Sequence, residues 1–156
     1  MSETMVVGVD GTAESLEALN TVAQMVGESG ATLVVVHVRH ESALVATGVG
    51  VNSAGAMLEA LDEMERLARE NAAAVLAGRH LTWRFQVAVG DPATELIAAA
   101  HENHASTIVV GARSHGVVGG LIVGSVAQKL VRQSPVSILV VRDGHAERLG
   151  MTPSGR

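Results

Sequence analysis

Short apolar runs that alternate with longer stretches of helical periodicity constrain the fold of this chain most strongly. The clearest run, TLVVVHV at Thr32–Val38, is apolar on both faces, which is typical of a strand inside a parallel sheet. Four further runs predict strands at Met5–Val9, Thr82–Val89, Thr107–Val110 and Val136–Val141. Because helical stretches separate these runs, the sequence predicts an α/β fold with right-handed crossovers.

The four intervening stretches predict helices. The first is expected to begin after Thr12, whose hydroxyl suits a helix cap. The second is predicted over residues 55–77, with a buried stripe of Met57, Leu61, Met64, Ala68, Ala72 and Val75. The third begins at Asp91–Pro92, where a capping carboxylate precedes a proline in the first turn. The fourth is expected from Ser125 to Gln133, because Pro135 prevents its continuation.

The third predicted strand differs from the others because Trp83, Phe85, Val87 and Val89 alternate with less apolar residues. Such alternation indicates a half-exposed strand at a sheet edge. A strand order of 3-2-1-4-5 satisfies this and opens a crevice at the carboxyl ends of strands 1 and 4, where ligands of such sheets bind. We therefore predict one Rossmann-like domain over residues 1–143, an open five-stranded parallel sheet with helices on both faces. A polar tail is expected over residues 144–156.

The last predicted strand, Val136–Val141, then forms the opposite edge, although it is apolar on both faces. An exposed apolar edge tends to associate with other chains unless it is covered. The same strand of a second copy is the simplest cover. The sequence therefore predicts a homodimer with a two-fold axis between the paired edges.

Composition argues against several classes of function. The net charge of −5, the single Trp and the absence of Tyr argue against a nucleic-acid-binding surface. The absence of cysteine excludes disulfides, thiolate catalysis and Cys-ligated metals, and it fits a reducing compartment. Neither a signal peptide nor an apolar run of membrane-spanning length is recognised, so we expect a soluble cytoplasmic protein.

The stretch Thr107–Ala127, TIVVGARSHGVVGGLIVGSVA, has the order of strand, glycine-rich loop and helix start that binds phosphate groups. Backbone N–H groups of such a loop converge on an anion, and the helix start adds partial positive charge. Gly111 and Gly116 have the spacing of a Walker A loop, but Val117 stands where that motif requires lysine. The sequence also lacks a dinucleotide fingerprint, so the stretch predicts an anion site of another kind.

This stretch resembles the nucleotide-binding branch of the universal stress protein family, whose motif is G-x2-G-x9-G-[ST]. Gly111, Ser114, Gly124 and Ser125 occupy its four positions, with serine in place of the second glycine. The segment VGVDGTAES also resembles the start of the family and places Asp10 at its acidic position. The resemblance extends over roughly residues 5–142. It implies a 3-2-1-4-5 sheet, a dimer through the last strand, and ATP bound between the first and fourth strands.

The resemblance and the residue types together predict the roles of the site residues. The backbone around Gly124 suits phosphate oxygens, with Arg113 as a counter-charge. Asp10 suits ribose hydroxyls or a metal-bound water, and Val38 offers backbone groups and apolar contact to adenine. The predicted nucleotide-binding residues are Gly8, Val9, Asp10, Val38, Gly111, Arg113, Ser114, Gly124, Ser125, Val126 and Ala127. No catalytic residue or metal ligand is assigned.

Three functions remain open at this point. The first is a regulatory ATP-binding homodimer that acts in the stress response through conformation or an unknown protein partner; Mg²⁺ could accompany ATP, and AMP or a cyclic nucleotide is a variant ligand. The second is a slow ATP hydrolase in which Asp10 orients a water molecule. The third is a structural or interaction module that binds no nucleotide because Ser114 has closed or reshaped the loop.

Several residues also have simpler interpretations. Asp10 could serve only as a cap of the first helix, and Arg113 and His115 could be solvated loop residues. His101 and His104 have the i, i+3 spacing of metal ligands, but histidines are also favoured by the dipole at a helix C-terminus.

Overall fold

The computed structural model describes residues 2–40, 53–112 and 123–142 of the 156-residue chain. Strands and helices alternate along these residues, with the following bounds: β1 (Thr4–Gly8), α1 (Ala13–Val26), β2 (Thr32–Arg39), α2 (Ala54–Leu76), β3 (Thr82–Val89), α3 (Pro92–Glu102), β4 (Thr107–Gly111), α4 (Ser125–Gln133) and β5 (Ser137–Val141). The predictions for Arg113, Ser114, His115 and the tail at 144–156 lie outside the described residues, and the domain boundary stays a prediction.

The strands form one parallel sheet in the order β3-β2-β1-β4-β5, which confirms the predicted fold class. Val7 of β1 is in register with Val35 of β2 on one side and with Val109 of β4 on the other. The chain leaves β1 toward α1 on one face of the sheet and leaves β4 toward α4 on the other face. A crevice therefore opens between the carboxyl ends of these two central strands.

Two aliphatic layers hold the helices to the sheet. One layer, under α1 and α2, includes Leu19 and Leu33, and the other, under α3 and α4, includes Ile108 and Leu130. All four side chains are completely buried. Burial of one such side chain stabilises the fold by about 1.5–3 kcal/mol, so these layers fix the sheet that supports the crevice.

The strand β3 lies at the edge of the sheet, as its alternating pattern predicts. Trp83 and Phe85 are half-buried against the layer under α1 and α2. The guanidinium of Arg69 lies over the Phe85 ring, 4.4 Å from its centroid, and covers part of this edge. Trp83 is in register with Leu33, near the amino end of β3.

Several strand boundaries differ from the prediction by one residue, and at two of them side chains replace backbone partners. Val9 was predicted to end the first strand, but β1 ends before it, and the Val9 carbonyl lies 3.0 Å from Nδ1 of His37. Val136 was predicted to begin the last strand, but β5 begins after it. The Ser134 hydroxyl accepts from the Val136 N–H at 3.1 Å and donates to the Val136 carbonyl at 2.8 Å.

The prediction for the buried stripe of α2 is partly wrong. Leu61, Ala68 and Ala72 are buried as predicted, and Leu76 is buried as well. The remaining predicted positions are only half-buried: Met57, Met64 and Val75. The reason is that α2 packs over the edge of the sheet, against β2 and α1, so part of its stripe faces solvent. Within the described ranges, neither α2 nor another helix is long and apolar enough to cross a membrane.

Candidate functional site

A cavity lies at the carboxyl ends of β1, β2 and β4, between the starts of α1, α3 and α4. It brings together most of the residues that the sequence singled out: Gly8, Val9, Asp10, Val38, Gly111, Gly124, Val126 and Ala127. Ser125 begins α4 with an exposed side chain and is not among the described lining residues. Arg113 and Ser114 lie outside the described part of the chain. The crevice predicted from strand order therefore contains most of the predicted site.

The cavity also has lining residues that the sequence did not single out as site residues: Thr12, Glu14, Ser15, Val36, His40, Pro92, Leu96 and Val110. We call the apolar lining residues of β2, α3 and β4 the apolar end of the cavity, and the lining residues of the β1–α1 turn and of the start of α4 its polar end. An elongated ligand with an apolar ring and a hydrophilic or anionic tail matches this division.

The turn between β1 and α1 holds the carboxylate of Asp10 at the polar end. Its Oδ1 accepts from the Thr12 N–H at 3.0 Å and from the Thr12 hydroxyl at 2.6 Å. The Thr12 hydroxyl oxygen in turn accepts from the Ser15 N–H at 3.2 Å, so Thr12 caps α1 as predicted. The interpretation of Asp10 as the cap is therefore wrong. Among the described residues, the hydrogen bonds to the Asp10 carboxylate are all accepted by Oδ1.

Gly111 brings the end of β4 against the first turn of α1. A Cβ atom at this position would lie 2.6 Å from the Glu14 carbonyl oxygen and 3.1 Å from the Ser15 nitrogen. Both distances are shorter than van der Waals contact allows for backbone atoms that cannot rotate away. The absence of a side chain at Gly111 thus sets how closely the two walls of the cavity approach.

The start of α4 differs from the starts of the other helices. Thr12, Ser53 and Asp91 each accept a backbone N–H of the helix that follows them, which satisfies a donor at the first turn. The residue at the corresponding position of α4 is Gly124, which has no side chain to do so. No side chain at the capping position accepts an N–H group of this first turn, and the positive end of the helix dipole lies beside the cavity.

Lys129 of α4 holds the start of α3 against α4 beside the cavity. Its Nζ lies 2.8 Å from Oδ2 of Asp91, which also accepts from the Thr94 N–H at 3.0 Å and the Thr94 hydroxyl at 2.8 Å. The hydrogen bond from Lys129, followed by those from Thr94, lowers the pKa of Asp91 from its usual 3.8 to about 2. Asp91 is therefore charged at neutral pH and joins the two helices that flank the cavity.

Replacement of Asp91 with alanine is expected to lower the free energy of unfolding at neutral pH by about 1 kcal/mol, because α3 loses its cap. A carboxyl with a lowered folded-state pKa stabilises the fold above its usual pKa of 3.8, and this contribution disappears as the pH falls toward about 2. Urea denaturation across that pH range should show the difference between wild type and Asp91→Ala shrinking. A constant difference would contradict the assignment. Lys129→Gln, which removes only the exposed ion pair, should cost less.

Arg39 fastens the end of β2 to α2. Its guanidinium lies 2.7 Å from Asp62 and 3.4 Å from Glu65, and its side chain is 17% exposed. The hydrogen bond with Asp62 is the largest of the influences that raise the pKa of Arg39. Val38, the residue before it, is thereby held at the apolar end of the cavity.

The histidine pair considered as metal ligands lies away from this cavity. His101 is in the last turn of α3, and His104 follows the helix with a φ of 50°. Both side chains are exposed. Within the described residues, no group of three or more His, Asp or Glu side chains is arranged to hold a metal ion.

Comparison with known proteins identifies the family. The sequence profile of the universal stress protein family matches residues 1–142, and the chain belongs to this family. The universal stress protein YxiE of Bacillus subtilis (strain 168) is 29% identical over 148 residues, which cover 91% of this chain and 100% of YxiE.

Solved structures of the family share the fold. A universal stress protein in complex with cAMP is 26% identical, with a TM-score of 0.60 over 90% of this chain and 97% of that one. The universal stress protein from Archaeoglobus fulgidus in complex with dAMP is 20% identical, with a TM-score of 0.56 over 90% and 97% of the two chains.

Proposed function

We propose that this universal stress protein binds ATP in the crevice and acts in the stress response as a nucleotide-responsive regulatory homodimer with a further protein partner. The observation that carries the proposal is the start of α4 at Gly124, which has no side-chain cap among the described residues and lines the same cavity as Asp10. The cAMP complex of a 26% identical relative supports an adenine nucleotide as the ligand.

Each end of the cavity has a distinct role in this proposal. The base lies against the apolar lining that Leu96 and Val110 contribute. The backbone of Val38 contacts the edge of the base, and Oδ2 of Asp10 accepts from a ribose hydroxyl.

The phosphates lie at the start of α4, where the N–H groups of Ser125, Val126 and Ala127 accommodate anionic oxygens. The family motif adds Arg113 and Ser114 to this end. Glu14 and Asp10 place negative charge near the phosphates, so Mg²⁺ is expected to strengthen binding of ATP more than that of AMP or cAMP.

Isothermal titration with ATP, AMP and cAMP, each with and without Mg²⁺, tests the proposal. We expect one nucleotide per chain and a thermal shift that grows with ligand concentration. Absence of both heat and thermal shift at millimolar concentrations of all three nucleotides would refute nucleotide binding. Tighter binding of cAMP than of ATP would instead identify a cyclic nucleotide as the ligand.

The homodimer in this proposal forms through β5, whose Ile138, Leu139 and Val140 are only half-buried in the single chain. The Ala112 N–H donates to the Val141 carbonyl at 2.7 Å, so Val141 directs its backbone groups toward β4. Because alternate residues of a strand face opposite neighbours, Val140 directs its N–H outward.

Val140→Pro removes this outward donor and leaves the ladder to β4 intact, since proline is tolerated at such edge positions. Sedimentation at micromolar concentration should show a dimer for wild type and a folded monomer for the variant. A wild-type monomer would refute the dimer without bearing on nucleotide binding.

A cytoplasmic location also belongs to this proposal and rests on the absence of cysteine from the sequence.

A further inference from the structure

The carbonyl of Val9 forms a hydrogen bond with a side chain at a position where the ladder of a parallel sheet would supply a backbone N–H. The Val9 N–H continues the β1–β2 ladder by donating to the Val36 carbonyl at 2.9 Å. The next bond of a parallel ladder would join the N–H of Val38 to the carbonyl of Val9. Nδ1 of His37 lies 3.0 Å from that carbonyl instead. Because a carbonyl only accepts, Nδ1 carries the hydrogen.

The backbone groups of Val38 are therefore left facing the crevice. Alternate residues of β2 direct both backbone groups to the same neighbour: Val36 faces β1, whereas the carbonyl of Arg39 accepts from the Gly90 N–H on the β3 side at 3.1 Å. Val38 thus faces the β1 side, beyond the last residue of β1. It makes no backbone hydrogen bond there with a described residue, and it lines the cavity.

We propose that His37 is a positioning residue for recognition of the base. The imidazole donates a hydrogen bond to the Val9 carbonyl, so the Val38 N–H does not form the next hydrogen bond of the ladder. The N–H and the carbonyl of Val38 therefore stay exposed to the ligand. An N–H beside a carbonyl matches adenine, whose N1 accepts and whose N6 amino group donates. It opposes guanine, whose N1–H donates and whose O6 accepts. This inference rests on the proposed nucleotide site and assigns a cause to its preference for adenine.

The position of His37 suits this role. The residue is 2% exposed, so packing fixes its ring, and water does not compete effectively for the Val9 carbonyl. A buried carbonyl without a partner is costly, and the Val38 N–H is the donor that the ladder would supply next. Loss of the imidazole N–H is therefore expected to draw Val38 into the ladder and away from the ligand.

Two replacements of similar shape separate the hydrogen bond from packing. His37→Asn places an amide N–H where Nδ1 lies, whereas His37→Leu has no donor. In the free protein, amide hydrogen exchange at Val38 should be faster than at Val36 in wild type and in the asparagine variant. It should be slowed in the leucine variant. A wild-type Val38 amide that is as protected as that of Val36 would overturn the proposal, even if the leucine variant fails to fold.

Ligand titrations provide the second measurement. ATP affinity should fall about five- to tenfold in His37→Leu, as expected for loss of one hydrogen bond, and should be largely retained in His37→Asn. The preference for ATP over GTP, and over the triphosphate of purine riboside that lacks the N6 amino group, should shrink only in His37→Leu. Unchanged affinity and base preference in that variant would overturn the proposal.

A matched control separates this role from a general loss of stability. Val22→Ala removes a completely buried side chain from the aliphatic layer under α1 and α2 and should lower stability while base preference stays as in wild type. If wild-type protein binds none of the nucleotides, the proposed function fails. The exchange measurement on the free protein still decides whether His37 keeps Val38 out of the ladder.

Discussion

Replacement of Gly124 with aspartate is expected to stabilise the free protein slightly and to weaken ATP binding by more than about a hundredfold. Gly124 has a φ of −61° and a ψ of 161°, a conformation that aspartate adopts without strain. A carboxylate at this position would accept N–H groups at the start of α4, as Asp91 does for α3. The gain in folding free energy is about 0.5 kcal/mol, because glycine is itself a tolerated capping residue.

The loss of binding has two sources that the variants separate. The new side chain of Gly124→Asp occupies the N–H groups that the phosphates require, and its charge repels each phosphate by roughly 3 kcal/mol at 5 Å in a medium of effective dielectric constant 20. Gly124→Asn forms the same cap without charge and should weaken ATP binding only about tenfold. Thermal unfolding and calorimetric titration of both variants test this. Wild-type affinity in Gly124→Asp would contradict phosphate binding at α4.

Replacement of Gly111 with alanine is the second change with a large expected effect. Its Cβ would lie 2.6 Å from the Glu14 carbonyl oxygen and 2.7 Å from the Glu14 carbonyl carbon, so β4 and α1 must move apart. Such overpacking costs typically about 1–3 kcal/mol of folding free energy. The displaced turn also contains Ser15, whose Oγ accepts from the Asp10 N–H at 3.2 Å, so ATP affinity should fall at least about tenfold.

Urea denaturation and ATP titration measure the two effects of Gly111→Ala. The matched control is Gly55→Ala at the exposed start of α2, where the nearest atom to the new Cβ is the Ser53 Oγ at 3.9 Å. This control should be neutral or stabilising by up to about 1 kcal/mol, because alanine favours a helix more than glycine does. Equal stability of Gly111→Ala and wild type would show that the walls of the cavity yield more easily than their contact distances indicate.

The fold could be predicted from the sequence because the strand patterns and the helix starts all agreed with one topology. The alternation of Trp83 and Phe85 with polar residues identified the edge strand, and an edge strand is compatible with few strand orders. Asp91 before Pro92 marked the start of α3 to the residue. The shifts at Val9 and Val136 arose where a side chain replaced a ladder bond, which apolar periodicity does not register.

From the sequence, site residues could be predicted only where they follow a strand or begin a helix. Asp10 and Gly124 could be placed because strand order determines which ends of strands and helices meet. The wall formed by Leu96 could not, because its position depends on how α3 packs on the sheet and its apolar spacing indicates only core. A signal for Thr12 was present, since an aspartate two residues before a threonine favours a side-chain-bonded turn.

The role of His37 illustrates a different limit of sequence interpretation. A histidine within TLVVVHV is most simply interpreted as a satisfied core or crevice residue, and it is indeed buried. Only the register of β1 against β2 shows that its ring meets the Val9 carbonyl at the residue where the ladder stops. Because His37 acts on the ligand only through the backbone of Val38, no sequence motif identifies it.

The placement of Trp83 at the edge strand has a spectroscopic consequence. The sequence has one Trp and no Tyr, so fluorescence excited at long wavelength reports on a single site. Trp83 precedes Ala88, the register partner of Val38, by five residues of extended chain, or roughly 16 Å. Its emission should therefore change when the sheet comes apart and stay nearly constant when a ligand fills the crevice. The protein thus contains an intrinsic probe that separates unfolding from occupancy in a single titration.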